Sequence, residues 1–373
     1  MTNKKTYFVT GGGTGGHIYP AIAIIDALLA DGAQVYYVGN PRNLEAEIAK
    51  QKGYNFLPVK INAMPRQFGW QFVKWCFQLF FAWIQCLFYL KKYKPAAVFG
   101  TGGYVSAPVL LGCMSIVCCK RKIPYMLHDC DAQPGLVTRK LAPGAAVVSL
   151  AFESAKEFIK NENIQINGIP IRTEFCTLSK DRAREILGLK DKKTLCVMGG
   201  SLGARTINDA AVELLKELSE EFDMQVIFQT GRKNFERVLE QLLKVYPEYG
   251  CDKNLIIKPY FDDMVSVLKA SDFAVSRAGS LSLSEICASG IAPVLVPFPH
   301  AAADHQRKNA QYMAEHGAAF CIEDAELTKQ SLKKAIQTLI DSPDIAKNSL
   351  SLAKYDGCSK IVGQLESIAL EAV

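Results

Sequence analysis

No secretory leader is legible at the start of the chain, where Met1-Thr2-Asn3-Lys4-Lys5 runs straight into the strand-like TYFVTGGG. Cysteine is not scarce, at 12 in 373 residues, but its spacings are irregular and hold no CxxC pair. That pattern excludes a small disulfide scaffold and a zinc ribbon. Cys113, Cys118 and Cys119 lie in apolar runs, so the expectation is reduced thiols acting as small core residues of a cytosolic protein. Large charge excess is absent as well. The net charge of +6 is a mild basic surplus that suits an anionic ligand or an anionic membrane face, and no nucleic-acid partner is expected. Apolar (49%) and charged (21%) fractions are those of a folded globular chain, and 373 residues exceed one ordinary core, so two domains are expected.

Short apolar runs alternate with helical stretches. TYFVT (6–10) leads through a glycine loop into the helix-like PAIAIIDALLADG, and QVYYVG (34–39), AAVFG (96–100) and IPYMLH (123–128) follow as strands. The pattern restarts at TLCVMGG (194–200) with ARTINDAAVELLKELSEEF behind it, then QVIFQTG, LIIKPY, FAVSR and APVLVPF. Such alternation predicts an α/β chain of two Rossmann-like, doubly wound parallel sheets. The join falls near GIPIRTEF (168–175), giving domains at 1–171 and 172–354. A closing helical stretch, about 344–371, crosses back, with 355–373 packing on the first domain.

The segment 68–90, FGWQFVKWCFQLFFAWIQCLFYL, carries Lys74 as its only charge. As a helix it would reach about 35 Å, enough to span a bilayer. Gln67, Gln71, Lys74, Gln78 and Gln85 recur at helical spacing and form one thin polar stripe, and Arg66, Lys91, Lys92 and Lys94 flank the run. This composition predicts a helix lying on an anionic membrane surface. The alternatives are a buried crossover helix and a true span. Burial of one face leaves aromatics around most of the circumference unexplained.

Glycine loops follow several strands. GGGTGGHIYPA (11–21) suits close backbone approach to a phosphate at a helix N-terminus, and Gly11, Gly13 and Gly16 also satisfy GxGxxG. The dinucleotide reading requires an acid at the end of the second strand. That strand ends Val38-Gly39-Asn40-Pro41-Arg42, which weakens the reading and leaves Arg42 as a candidate for a 2′-phosphate. His17 is placed on the first helical turn, either as a general base near neutral pH or as a side chain that only hydrogen-bonds loop or ligand. GTGGYVSAPV (100–109) and GGSLGART (199–206) repeat the loop logic, the latter with the Ser201 hydroxyl. In SRAGSLSLSEICASGIAPVLVPFPHAAADHQRKNA (276–310), Glu285 stands on an opening helix where a carboxylate can accept two ribose hydroxyls. The bland alternative is a solvated helix charge.

Together, GGGTGGHIYPA, GTGGYVSAPV, GGSLGA and RAGSLSLSEI…PFPH…HQ…NA resemble, in order and over nearly the whole chain, the bacterial MurG family of lipid I N-acetylglucosaminyltransferases. The resemblance implies a GT-B fold whose two domains face a cleft, inverting transfer, and no metal or other cofactor. It also implies a peripheral place on the cytoplasmic face of the inner membrane, with 68–90 as the membrane patch and the cell-wall and division machinery as candidate partners. It places UDP-GlcNAc mainly on the second domain. Glu285 would hold the ribose, and Ser201, Ser280, Leu281, Ser282, Leu283 and Ser284 would line the diphosphate. Arg172 would pair with phosphate, Phe261 would lie near the uracil, and Gln306 would bind sugar hydroxyls. Thr14, Gly15 and Gly16 would approach the sugar and the pyrophosphate of lipid I, with His17 and Tyr104 on the acceptor side.

The chain departs from the family where His128-Asp129-Cys130-Asp131 replaces the usual HEQN. Asp131 then stands where an Asn normally meets the donor sugar, and it cannot donate an amide hydrogen bond. Phe228 replaces a frequent His. Asp129-Cys130-Asp131 also spells DxD, a metal–nucleotide signature of a different transferase fold, and reads as coincidence because the rest of that pattern is missing. Rival readings are another GT-B glycolipid transferase, a UDP-GlcNAc 2-epimerase, which has no use for segment 68–90, and a recruiting subunit without catalysis.

Overall fold

The computed structural model describes residues 4–65, 67–115, 123–200, 202–301 and 304–371. The chain forms two compact units, Met1–Arg172 with Tyr355–Val373, and Thr173–Lys354.

The first unit holds β1 (Thr6–Thr10), α1 (Gly15–Ala30), β2 (Gln34–Gly39), α2 (Leu44–Lys52), β3 (Asn55–Pro58), α3 (Trp70–Tyr93), β4 (Ala97–Gly100), α4 (Ala107–Met114), β5 (Tyr125–Asp129), α5 (Leu136–Leu141), β6 (Val147–Leu150) and β7 (Ile164–Ile166). Its strands pair in parallel in the order β3-β2-β1-β4-β5-β6-β7. Parallel pairing demands crossovers, and these cover both faces, so β1 is apolar throughout its centre rather than alternating. Tyr7 and Val9 pack with α1, while Phe8 points the other way, to Ala82, Cys86 and Leu90 of α3 and Val109 and Leu110 of α4. The strand order reverses between β1 and β4, so the loops that leave these two strands lie side by side, the usual place for a ligand on an open sheet.

Helix α1 begins at Gly15, which puts His17 on its first turn as expected and Pro20, the expected start of the helix-like run, inside it. Proline lacks the N–H that would bond the carbonyl of Gly16, so the helix forgoes one hydrogen bond in its second turn.

The second unit holds α6 (Glu174–Thr177), α7 (Lys180–Leu187), β8 (Thr194–Met198), α8 (Arg205–Glu220), β9 (Gln225–Gln229), α9 (Phe235–Val245), β10 (Leu255–Lys258), α10 (Met264–Ala270), β11 (Phe273–Ser276), α11 (Ser280–Ser289), β12 (Ala292–Leu295), α12 (His305–Glu315), β13 (Phe320–Cys321), α13 (Lys329–Asp341) and α14 (Asp344–Ser351). The sheet is again parallel, in the order β10-β9-β8-β11-β12-β13, with its reversal between β8 and β11. Phe228 is fully buried in this unit's core, where it fills space rather than facing a ligand.

The chain re-enters the first unit through α15 (Gly357–Glu371), whose Ile361, Leu365 and Ile368 repeat at helical spacing and pack on the α1 side of the sheet. The closing stretch is therefore two helices, not one. Leu352 and Ala353 pack beside Leu283 and Cys287, and α15 starts at a glycine because a Cβ at Gly357 would lie 2.7 Å from the Asn167 carbonyl oxygen.

The cysteines divide. Cys86, Cys113, Cys130, Cys196 and Cys287 are buried thiols, as expected, but Cys76, Cys176, Cys251 and Cys321 are exposed. Cys118 and Cys119 lie outside the described residues, as does Arg66.

Helix α3 is 24 residues long. Its buried residues, Ala82, Cys86, Leu87 and Leu90, all fall in the second half. Trp70, Phe77 and Phe81 are 81%, 59% and 65% exposed, and Phe80, Ile84 and Phe88 are exposed beside them. The expected polar stripe does not simply face water. At Gln85 it turns inward, with Nε2 donating to the Pro58 carbonyl (2.9 Å), and Trp75 Nε1 donates to the Asn62 carbonyl (2.9 Å).

Candidate active site

In the first unit the two loops at the strand reversal are locked to each other. Thr101, just after β4, donates its hydroxyl to the His17 carbonyl (2.7 Å), and His17 Nδ1 lies 2.8 Å from the Thr101 carbonyl. A carbonyl only accepts, so Nδ1 carries the proton and Nε2 is left as the basic nitrogen of the neutral ring. Glycine is required around this clasp. A Cβ at Gly11 would lie 1.9 Å from Thr101 Oγ1, and one at Gly103 would lie 3.1 Å from His17 Cδ2. His17 is half-buried in the first turn of α1, and Thr14, Gly15 and Gly16 precede it at the surface. Their N–H groups belong to a helix start, where no carbonyl of the same helix can take them.

Tyr104 is brought to the same place. Its hydroxyl accepts from Asn43 Nδ2 (3.0 Å), and its ring leaves no room for a Cβ on Gly13, which would come within 2.8 Å. His128 is fully buried, stacked on Phe99, with Nδ1 2.9 Å from Ser149 Oγ. Burial and then the nearby His17 push its pKa down to about 3, so the ring stays neutral at physiological pH. Asp129 spends both oxygens on backbone, accepting from Asp131 N (3.1 Å) and Gly135 N (3.0 Å), and burial raises its pKa. This carboxylate shapes the turn into α5, which supplies a structural reason for the first Asp of the DxD. Asp131 is half-buried on that turn. Arg172 belongs to this first unit, not to the second as expected, and its guanidinium lies over the Tyr19 ring of α1 (5.6 Å).

In the second unit the loop after β8 is tight, since a Cβ at Gly199 would lie 2.1 Å from Ala204 N and one at Gly203 2.0 Å from the Thr230 carbonyl oxygen. Ser201 lies outside the described residues. Gln229 ties this loop to the next, donating to the Gly200 carbonyl (3.2 Å) and accepting from Phe261 N (2.9 Å). Phe261 is buried, with Lys258 over its ring. Helix α11 starts at the end of β11, at the sheet reversal, and presents Ser280, Leu281, Ser282, Leu283, Ser284 and Glu285 in its first turns. Ser280, Leu283 and Glu285 are buried, and Leu281, Ser282 and Ser284 are half-buried. Asn309 fixes the approach to α11 by donating to the Ala278 carbonyl (3.0 Å), and Gln306 Oε1 accepts from Phe298 N (3.0 Å).

Thr101, Glu45, Gln229 and Arg277 were not legible as site residues. Arg277 pairs with Asp324 (2.5 Å) and donates to Thr206 Oγ1 (3.0 Å), joining β11 to α8. Each pairs with partners distant in sequence, so no local spacing signals it.

The two parallel sheets, each with a loop cluster at its strand reversal, are those of a GT-B glycosyltransferase. Residues 7–150 match the glycosyltransferase family 28 N-terminal domain and residues 194–360 its C-terminal domain. A relative from Desulforamulus reducens, named UDP-N-acetylglucosamine--N-acetylmuramyl-(pentapeptide) pyrophosphoryl-undecaprenol N-acetylglucosamine transferase, is 36% identical over 96% of this chain and 98% of its own. One of the same name from Desulfitobacterium hafniense is 37% identical over 95% and 96%. Among solved structures, Acinetobacter baumannii MurG superposes with a TM-score of 0.71 at 25% identity over 98% of this chain and 99% of that one. The glycotransferase of kitacinnamycin does so with 0.69 at 16% over 99% and 98%, a likeness of fold alone. The chain belongs to glycosyltransferase family 28 and, within it, to the MurG family.

Proposed function

We propose that the protein transfers N-acetylglucosamine from UDP-GlcNAc to the 4-hydroxyl of the MurNAc residue of lipid I, undecaprenyl-pyrophosphoryl-MurNAc-pentapeptide, giving lipid II with inversion at the anomeric carbon. The end-to-end likeness to relatives bearing that name carries this reading. The second unit takes the donor. Buried Glu285 accepts the ribose hydroxyls, Phe261 lies by the uracil, and Gln306 meets sugar hydroxyls. The α11 N-terminus, with Ser280, Ser282 and Ser284, offers N–H and O–H donors to the diphosphate. Leu283 packs with Ala278 and Leu295, and Leu281 and Ser201 are assigned to the diphosphate by the same family reading.

The first unit takes the acceptor. Thr14, Gly15 and Gly16 approach the sugar and pyrophosphate, Tyr104 flanks them, and Asp131 lies on the β5 turn. His17 removes the proton from the attacking hydroxyl through Nε2. Its supporting observation is the Nδ1 hydrogen bond to Thr101, which fixes the tautomer with the lone pair on Nε2. The charge that develops on UDP is met by helix N–H groups and by Arg172, whose planar guanidinium suits a phosphate, without need of a metal.

The same reading puts the protein peripherally on the cytoplasmic face of the membrane. The exposed aromatics of α3 would enter an anionic bilayer surface beside Lys91 and Lys92, and the packing of Ala82, Cys86, Leu87 and Leu90 into the first unit favours lying on the membrane over crossing it. Transfer of labelled GlcNAc to a lipid I analogue tests the reading.

A further inference from the structure

One buried carboxylate has no part in the chemistry above. Glu45, in the first turn of α2, is completely inaccessible to solvent. Its Oε1 accepts from Asn40 N (3.2 Å) and Asn43 Nδ2 (3.2 Å), and its Oε2 from Gly13 N (3.5 Å). These donors are uncharged. A buried carboxylate is costly unless fully hydrogen-bonded, and here the α2 N-terminus and the inward N–H groups supply the compensation. The first glycine loop is built over it. A Cβ at Gly12 would lie 2.4 Å from Glu45 Oε1. Tyr37 holds the same loop from below by donating to the Gly11 carbonyl (2.6 Å).

The contacts form a circuit. Glu45 holds Gly13 directly. Through Asn43 Nδ2 it also reaches the Tyr104 hydroxyl, and the Tyr104 ring closes back over Gly13. The second glycine loop touches the first here too, since a Cβ at Gly103 would lie 2.7 Å from the Gly12 carbonyl oxygen. With the inward N–H of Gly13 turned to Glu45, the outward N–H groups of the α1 start remain for a ligand.

We propose that Glu45 is a positioning residue that sets both acceptor-side glycine loops and the Tyr104 hydroxyl at once. The acceptor-side role rests on the transferase reading above; the loop-setting role does not. Glu45→Gln keeps the shape but turns one acceptor into an NH2, which must then face a backbone or amide donor whichever way the side chain is placed. Asn43→Ala keeps the Glu45 carboxylate and its bonds to Gly13 and Asn40 but removes the branch to Tyr104 together with one donor to Oε1, and it serves if Glu45→Gln fails to fold.

The test combines amide hydrogen exchange on the full chain with steady-state kinetics. Glu45→Gln should speed exchange in 11–16 and 100–106, and should lower kcat/KM for a soluble lipid I analogue by roughly 10–100-fold, because small misplacements of binding groups cost that much. The KM for UDP-GlcNAc should stay within about twofold, since its ligands lie on other elements. Asn43→Ala should act in the same direction, with a smaller effect on exchange in 11–16 because Glu45 keeps its bond to Gly13. Unchanged loop exchange, or unchanged acceptor kcat/KM in an active variant, would overturn the proposal. So would a parallel loss of Tm and of both substrates, which marks a merely structural role. If the wild-type chain transfers nothing to lipid I, the functional reading fails while the exchange result still decides whether Glu45 sets the loops.

Discussion

His17 and Thr101, 84 residues apart, hold each other by reciprocal hydrogen bonds: the Thr101 hydroxyl donates to the His17 carbonyl at 2.7 Å, and His17 Nδ1 to the Thr101 carbonyl at 2.8 Å. The clasp fixes both ring orientation and tautomer. His17→Ala should therefore lower kcat by roughly 100–10,000-fold, the range of general-base catalysis, while UDP-GlcNAc affinity stays unchanged by calorimetry. Normal turnover would remove His17 from the role of base.

Glu285 is buried on α11, so it should be a strong determinant of donor binding. Glu285→Ala removes two hydrogen bonds to a charged acceptor and should raise the KM for UDP-GlcNAc about 10–100-fold, leaving the lipid I KM in place. An unchanged donor KM would return Glu285 to a structural part in its unit.

Trp70, Phe77 and Phe81 are the aromatics of α3 to change, because all three are exposed and precede the residues that bury the helix, whereas Trp75 already bonds the Asn62 carbonyl. Replacing all three by Ser should weaken binding to phosphatidylglycerol-containing vesicles about a hundredfold, from roughly 3 kcal/mol of lost apolar burial, with Tm unchanged. Leu90→Ala, in the anchored half, should instead cost about 2–5 kcal/mol of stability. Sedimentation with vesicles and thermal melts separate the two, and equal vesicle binding by the triple variant would remove α3 from the membrane.

His128 gives a pH signature. Its folded pKa is pushed down from an ordinary 6.5 to about 3, by burial first and by His17 second. Between those values the unfolded chain binds a proton that the folded chain refuses, so stability rises with pH through this window and is level above 6.5. On acidification below 6.5 the loss should be about 1.4 kcal/mol per pH unit. Asp129, raised by burial, pulls the other way. His128→Asn keeps a partner for Ser149 and should flatten the slope; urea titrations at pH 5.5 and 7.0 measure it. An undiminished slope in the variant would assign the acid loss elsewhere.

The fold was legible because most of the parallel strands are short apolar runs and the turns after β1, β4 and β8 are dense in glycine. Gly11 shows why that density is obligatory: the Thr101 hydroxyl occupies the space of its side chain. The sequence places His17 on the first turn of α1, as observed, although its helix-like run starts at Pro20, because Gly15 and Gly16 look like turn. Glu45 was illegible for a related reason. An acid in the first turn of a short polar helix reads as solvated, and only the three-dimensional approach of Gly12 and Gly13 shows that it is enclosed. The inward turn of Gln85 depends on the path of residues 58–62, which helical spacing cannot convey.

The most direct test is an assay of the purified full chain with radiolabelled UDP-GlcNAc and a short-chain lipid I analogue, in the presence of EDTA. The account predicts labelled disaccharide-lipid despite the chelator. UDP-GlcNAc that binds while no label reaches lipid I would contradict it, and the Asp131 departure and other lipid acceptors would then be the place to look.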